Sequence, residues 1–124
     1  EGWSHFPQER QDFLDWLAAN KVDGVVFLSG DRHYSELTRL DRPGSYPLYD
    51  LTCSPLTAGA FSGGPDANRP DRVPGTMVGQ RNFCSFSVRG SKAQRAITLK
   101  SFDAQGKELW AHRLPLQALR TPRP

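Results

Sequence analysis

The sequence has two cysteines and one methionine, and no apolar stretch approaches the ~20 residues of a membrane-spanning helix. A secretory apolar segment is missing as well. There is little excess of charge: sixteen Lys and Arg stand against thirteen Asp and Glu, for a net charge of +3, and no basic run reaches five residues. A nucleic-acid partner, which calls for clustered positive charge with interleaved aromatics, is therefore not expected. No Cys-x-x-Cys pair suggests structural zinc or dithiol chemistry. Neither a Gly-x-Ser-x-Gly elbow nor a glycine-rich loop ending in Lys-Ser/Thr occurs, which removes the commonest serine hydrolase and P-loop signatures. Hydrophobic residues make up 37%, below the usual ~45–50%.

Eleven glycines and ten prolines indicate a loop-rich chain, and 124 residues give room for one domain with one modest core. The sequence opens on Glu1, and its only methionine is Met77, so residues needed for function are expected upstream. Cys53 and Cys84 are read as buried free thiols acting as small apolar residues. A disulfide between them, which would call for an oxidising compartment, is the alternative.

Residues 7–19 read as a helix that packs on a sheet. Pro7 suits the first helical position, Glu9 suits the positive end of the dipole, and Phe13, Leu14, Trp16 and Leu17 fall on one broad face. Asn20 is the expected left-handed terminator. Val25-Val26-Phe27-Leu28 shows no polar alternation and reads as a strand buried on both faces. The polar turn Ser29-Gly30-Asp31-Arg32-His33 follows directly. A second strand is expected at 47–53. A proline- and glycine-rich loop spans 54–75, at the rim of a site. Cys84, Phe86 and Val88 then alternate with polar residues as a half-buried strand. Ala96 to Phe102, the turn Asp103-Ala104-Gln105-Gly106 and Glu108 to Leu114 complete an antiparallel meander, with Trp110 and Leu114 on one face. Residues 115–124 form a peripheral tail.

The residues best suited to chemistry are Asp31 and His33. In extended backbone, side chains two positions apart project to one side, so a carboxylate and an imidazole could share one metal ion or serve two adjacent ions. Their place at the end of a strand is where α/β folds present ligating side chains. The competing reading makes Asp31 a helix cap and His33 a solvated surface residue. Tyr34 and Glu36 are near enough to orient a ligating histidine. Arg32 is assigned to pairing with a carboxylate or a phosphate. His5, in Gly2-Trp3-Ser4-His5, is a candidate acid or ligand in a cleft wall, or else a capping residue. Asn82, with Arg81, is a weaker candidate, and His112 is read as structural.

VVFLSGDRHYSEL at 25–37 resembles the last signature block of the PhoD-like alkaline phosphatases, which belong to the calcineurin-like metallophosphoesterase superfamily. EGWSHFPQERQDFLDWL, YPLYDLTCSPLTAG, VGQRNFCSFSV and LKSFDAQGKELWAHRL resemble further blocks of that family in the same order. The resemblance implies a C-terminal portion, 1–124, of an α+β or α/β domain: a two-sheet β-sandwich flanked by helices with two metal ions at strand ends. Their identity (Fe, Ca, Zn, Mn or Mg) is left open. The superfamily's usual final motif is Gly-His-x-His. Here Gly30-Asp31-Arg32-His33 has aspartate first, as PhoD-like members do, so Asp31 and His33 inherit ligand roles, and the carboxylate favours harder ions than imidazole does. His5 would protonate the leaving oxygen or contact substrate.

The family's earlier blocks, Asp-x-His, Gly-Asp-x-x-Asp and Gly-Asn-His, do not occur before Asp31. The implied function is hydrolysis of phosphate esters by metal-activated hydroxide in a longer protein, with this portion inactive alone. Its partners would be a phosphate-ester substrate and the N-terminal part of the same protein, with self-association through uncovered sheet edges. A periplasmic or secreted location is also implied. The rival is a non-catalytic β-rich interaction module. A mononuclear zinc hydrolase fails for want of further ligands.

Overall fold

Pro7 opens the one α-helix of the described residues, α1 (Pro7–Ala19), with Glu9 in its first turn. The computed structural model describes residues 2–61 and 69–122. Leu14 and Leu17, one turn apart, are buried, whereas Phe13 and Trp16 stay exposed, so the buried face is narrower than the apolar pattern suggested. The outer face is tied by Gln8–Asp12 and Gln11–Asp15 hydrogen bonds, each 2.8 Å, at helical i,i+4 spacing. Termination differs from expectation. Asn20 keeps negative φ and its side chain donates to the Trp16 carbonyl, while Lys21 takes the left-handed conformation at φ 52°. The Lys21 and Val22 N–H groups then satisfy the Ala18 and Leu17 carbonyls in a Schellman arrangement.

The strands β1 (Val26–Ser29), β2 (Glu36–Leu40) and β3 (Leu48–Thr52) form a sheet of order β1-β3-β2, with β1 parallel and β2 antiparallel to β3. β1 is not buried on both faces as its sequence suggested. Val26 and Phe27 are half-buried and Leu28 is 62% exposed, because β1 is the edge strand and β3 takes the centre. Central β3 buries Leu48, Tyr49, Leu51 and Thr52.

The meander is present as β4 (Asn82–Arg89), β5 (Ala96–Asp103) and β6 (Glu108–Pro115), antiparallel and in that spatial order. Its β5–β6 turn is closed by Asp103, whose Oδ1 accepts from the Gln105 and Lys107 N–H groups at 2.9 Å each, and by Gly106 at φ 85°. β4 departs from the half-buried pattern: Phe86 and Val88 are exposed, since this edge strand projects beyond the shared core.

One apolar cluster joins α1, both sheets and the chain end through Leu14, Leu17, Leu37, Leu51, Leu99, Leu114 and Leu119, among others, with Trp110 packed against it. The fold is thus mixed α+β, with one α-helix and two small three-stranded sheets among the described residues. Two further expectations are corrected. Cys53 and Cys84 are joined in a disulfide rather than free, because the chain leaving β3 passes the start of β4 and brings their Cα atoms to 6.2 Å. The tail is anchored: Leu119, in a 3₁₀ turn at Leu116–Leu119, is buried, its carbonyl accepts from Gly24 N–H, and Thr121 donates twice to Asp23 Oδ1. The centre of the 54–75 loop, residues 62–68, lies outside the described residues. Among the described residues no helix is long and apolar enough to cross a membrane.

Candidate functional site

The polar turn after β1 is where Asp31 and His33 lie, and its backbone is not extended. Asp31 has φ 66° and His33 φ 60°, both left-handed. Asp and His tolerate this region better than most residues, yet it costs of order 1 kcal/mol or more each, and such conformations concentrate at functional sites. The extended-chain geometry expected for the pair is thereby replaced. Asp31 borders a cleft of about 680 Å³ together with Trp3, Arg10, Phe27, Asp50 and Arg69. His33 borders an adjoining hollow of about 410 Å³ with Gly59, Ala60 and Phe61. Arg32 and Tyr34 line both. Gly30 is not required by space: an added Cβ would meet the Cys53 carbonyl oxygen at 3.5 Å, an ordinary contact.

His33 is exposed, with Nδ1 2.5 Å from the Gly59 carbonyl oxygen, and its own carbonyl accepts from the Phe61 N–H at 2.7 Å. Arg32 lies over the buried Tyr34 ring at 5.6 Å. Of the two residues expected to orient the histidine, Tyr34 shares the hollow that His33 borders, whereas Glu36 is engaged elsewhere. Glu36 is 1% exposed and receives Arg72 Nε at 2.6 Å and Arg69 Nη1 at 3.0 Å. Arg69 in turn makes a two-point contact with Asp71, at 3.0 and 2.6 Å. This pairing raises the Arg69 guanidinium further above its ordinary range, and the bond from Arg69 holds the Asp71 carboxyl below its own.

On the cleft floor, Ser29 Oγ donates to Asp50 Oδ1 at 2.9 Å and lies 2.9 Å from Thr52 Oγ1. The pairing of β1 with β3 puts Ser29 opposite Thr52 and produces this cluster. Burial pushes the Asp50 carboxyl up, outweighing the lowering effects of the Ser29 bond and of Arg69. Sequence reasoning missed Asp50, although one acid amid the apolar β3 run was a usable signal. It also missed the pairing of Glu36 with Arg69 and Arg72, for which no local signal exists.

The other candidates sit as follows. His5 is exposed in a 3₁₀ turn at Trp3–His5 and is not among the cleft-lining residues, although Trp3 and Ser4 are. Trp3 packs near Phe13 and Phe27 and donates to Glu9 Oε1 at 3.0 Å. Asn82 is buried at the start of β4 and binds the loop after β3. His112 faces Tyr49 at 5.8 Å, and burial, then Arg39, lower its pKa below 6.5.

Among the described residues no group of three or more His, Cys, Asp or Glu converges as a metal site. Asp31 and His33 do fit part of one in donor chemistry, since a ligating imidazole ordinarily has its other ring nitrogen held by a carbonyl or carboxylate, as Gly59 holds Nδ1 here. Comparison with curated proteins and with solved structures returns no significant match. A family model described as PhoD-like phosphatase matches residues 1–103, from the Trp3 turn through the end of β5, and the chain therefore belongs to the PhoD-like phosphatase family.

Proposed function

We propose that this chain is the C-terminal part of a metal-dependent phosphoric ester hydrolase, in which Asp31 and His33 supply two ligands of a dinuclear centre and residues before Glu1 supply the rest. The observation that carries the reading is a carboxylate and an imidazole in the turn ending β1, within the stretch matched by the phosphatase family. When bound, two ions drawn from Fe, Ca, Zn, Mn or Mg would supply Lewis-acid activation and neutralise phosphoryl charge. The chain's own residues would do three things. His33 would present Nε2 while Gly59 holds Nδ1. Asp31 would place a carboxylate at the mouth of the cleft, whose volume lies within the ~300–1,000 Å³ range of small-molecule sites. Arg10, which lines the cleft, would offer its guanidinium to a phosphate oxygen. His5, next in sequence to the cleft-lining Ser4, is retained as the proposed proton donor or substrate contact.

Two ligands cannot hold two ions, so the chain alone is proposed to be inactive. The two sheets are proposed to belong to a calcineurin-like sandwich completed by upstream strands. The exposed Leu28, Trp16 and Phe6 support both that completion and self-association in its absence. The Cys53–Cys84 disulfide supports an oxidising location, periplasmic or secreted.

The test uses the longer polypeptide that contains this chain, with Asp31→Ala and His33→Ala variants. Hydrolysis of p-nitrophenyl phosphate and metal content by mass spectrometry should fall together. Undiminished hydrolysis at full metal content in His33→Ala would remove the ligand role.

A further inference from the structure

Two consecutive residues at the start of β4 hold the loop that contacts His33. Asn82, 2% exposed, donates through Nδ2 to the Ser54 carbonyl at 2.9 Å and to the Gln80 carbonyl at 2.8 Å. Its Oδ1 accepts from Ser35 Oγ, and its backbone N–H donates to the Pro55 carbonyl at 3.0 Å. Next to it, Arg81 Nε donates to the Ala58 carbonyl at 3.2 Å. The loop is thus fastened at three carbonyls, on residues 54, 55 and 58. One position further on, the Gly59 carbonyl meets His33 Nδ1 at 2.5 Å, and Phe61 N–H closes back onto the His33 carbonyl.

A carbonyl oxygen only accepts, so Nδ1 must carry the proton, and in the neutral ring the lone pair is left on Nε2. That is the opposite of the tautomer an isolated neutral histidine side chain prefers in water. No hydrogen bond is made by Nε2 among the described residues.

We infer that Arg81 and Asn82 are positioning residues for His33: by holding the 54–61 loop they fix the Gly59 carbonyl, and through it the tautomer and aim of the imidazole. Its functional meaning rests on the ligand role proposed above, whereas the tautomer rests on geometry alone. A purely structural role for Arg81 and Asn82 would leave the proton distribution on an exposed ring unchanged.

The experiment is ¹⁵N NMR of the labelled chain at a pH where His33 is neutral, with its ring resonances assigned through loss in His33→Ala. The wild-type ring is expected in the Nδ1–H form. Arg81→Ala should lower the Nδ1–H to Nε2–H ratio about fivefold, the scale of one lost hydrogen bond. Arg81→Lys, still able to donate to the Ala58 carbonyl, should restore most of it. Asn82→Asp, without the two Nδ2 donors, should shift the ratio in the same direction. Arg81 is exposed, so its variants keep the fold even if the buried Asn82 variant does not. A wild-type ring in the Nε2–H form, or an Arg81→Ala ratio equal to wild type, would overturn the inference. Zn²⁺ added to the longer polypeptide that contains this chain, labelled in the same way, reads the ligand proposal separately. A ring that keeps Nδ1–H yet shows no Nε2 response sinks the ligand role and leaves the positioning relation standing.

Discussion

The buried Glu36 carboxylate receives Arg72 Nε at 2.6 Å, joining β2 to the far end of the loop that follows β3. Arg69 binds the other carboxylate oxygen, so one acid secures two guanidiniums that lie 33 and 36 residues along the chain. Bridges of Thr38 to Arg72 and of Ser35 to Val78 run alongside. The loop is stitched to the sheet edge by charge and by backbone together.

Removing this acid should be severe. Glu36→Ala leaves Arg72, with a side chain only 10% exposed, beside the site of a lost counter-charge. Breaking a buried pair at one partner costs about 3–5 kcal/mol, whereas an exposed pair such as Arg39–Asp41 is worth about 0–1 kcal/mol. Urea unfolding should place Glu36→Ala in the first class and Asp41→Ala in the second. Similar midpoints for the two would show that Glu36 is not a structural centre.

The contrast between those residues also marks what could be read from sequence. Helix α1, strand β3 and the Asp103–Gly106 turn were legible because their signals are local: Pro7 and Glu9 at a helix start, a short run containing Leu48, Tyr49 and Leu51, an Asx turn with glycine. The state of Cys53 and Cys84 was not, since the two are 31 residues apart and only topology brings them together. The exposure of Leu28 depends on which strand occupies the sheet centre, a property of β3 and not of β1. At the site, Asp31-Arg32-His33 was legible as a polar turn at a strand end. The left-handed backbone there and the His33–Gly59 contact, 26 residues apart, were not.

His112 should give the fold a pH dependence. Burial and Arg39 lower its folded pKa below the ordinary 6.5, so the unfolded chain binds the proton more readily. The stability associated with a neutral His112 is therefore fully present above pH 6.5 and is lost as pH falls from 6.5 through the folded pKa. His112→Phe retains a ring beside Tyr49 and removes the titration. The difference in unfolding free energy between wild type and variant should narrow or reverse as pH is lowered through that window. A constant difference between pH 7 and pH 5 would show that His112 does not titrate differently in the two states.

The anchored tail makes a packing prediction. Leu119 is 1% exposed and shares the cluster with Leu14, Leu17 and Leu114. Leu119→Ala should cost about 2–5 kcal/mol by loss of transfer energy plus a cavity. Thr121→Ala, which loses only the hydroxyl bond to an exposed Asp23, should cost about 1 kcal/mol or less. Thermal melts of both variants would check the order, and equal effects would place the tail outside the core.

The disulfide supplies the last expectation. Cys53 ends the run out of β3, just before the loop that reaches His33, and Cys84 lies in β4 two residues beyond Asn82. The bond closes a segment with a separation of 31 residues, and the chain-entropy relation gives such a loop roughly 3–4 kcal/mol of stabilisation through the unfolded state. The closed segment also contains Gly59 and Arg72, the partners of His33 and Glu36. Cys53→Ser/Cys84→Ser should therefore lower the melting temperature, and amide exchange should quicken across 54–61 before it does in β5, whose Leu99 is fully buried in the cluster. If exchange rises uniformly over both sheets instead, the bond stabilises the whole fold and has no special hold on the His33 loop. If the melting temperature does not move at all, the cross-link adds nothing that the Ser35–Asn82–Ser54 hydrogen bonds do not already provide.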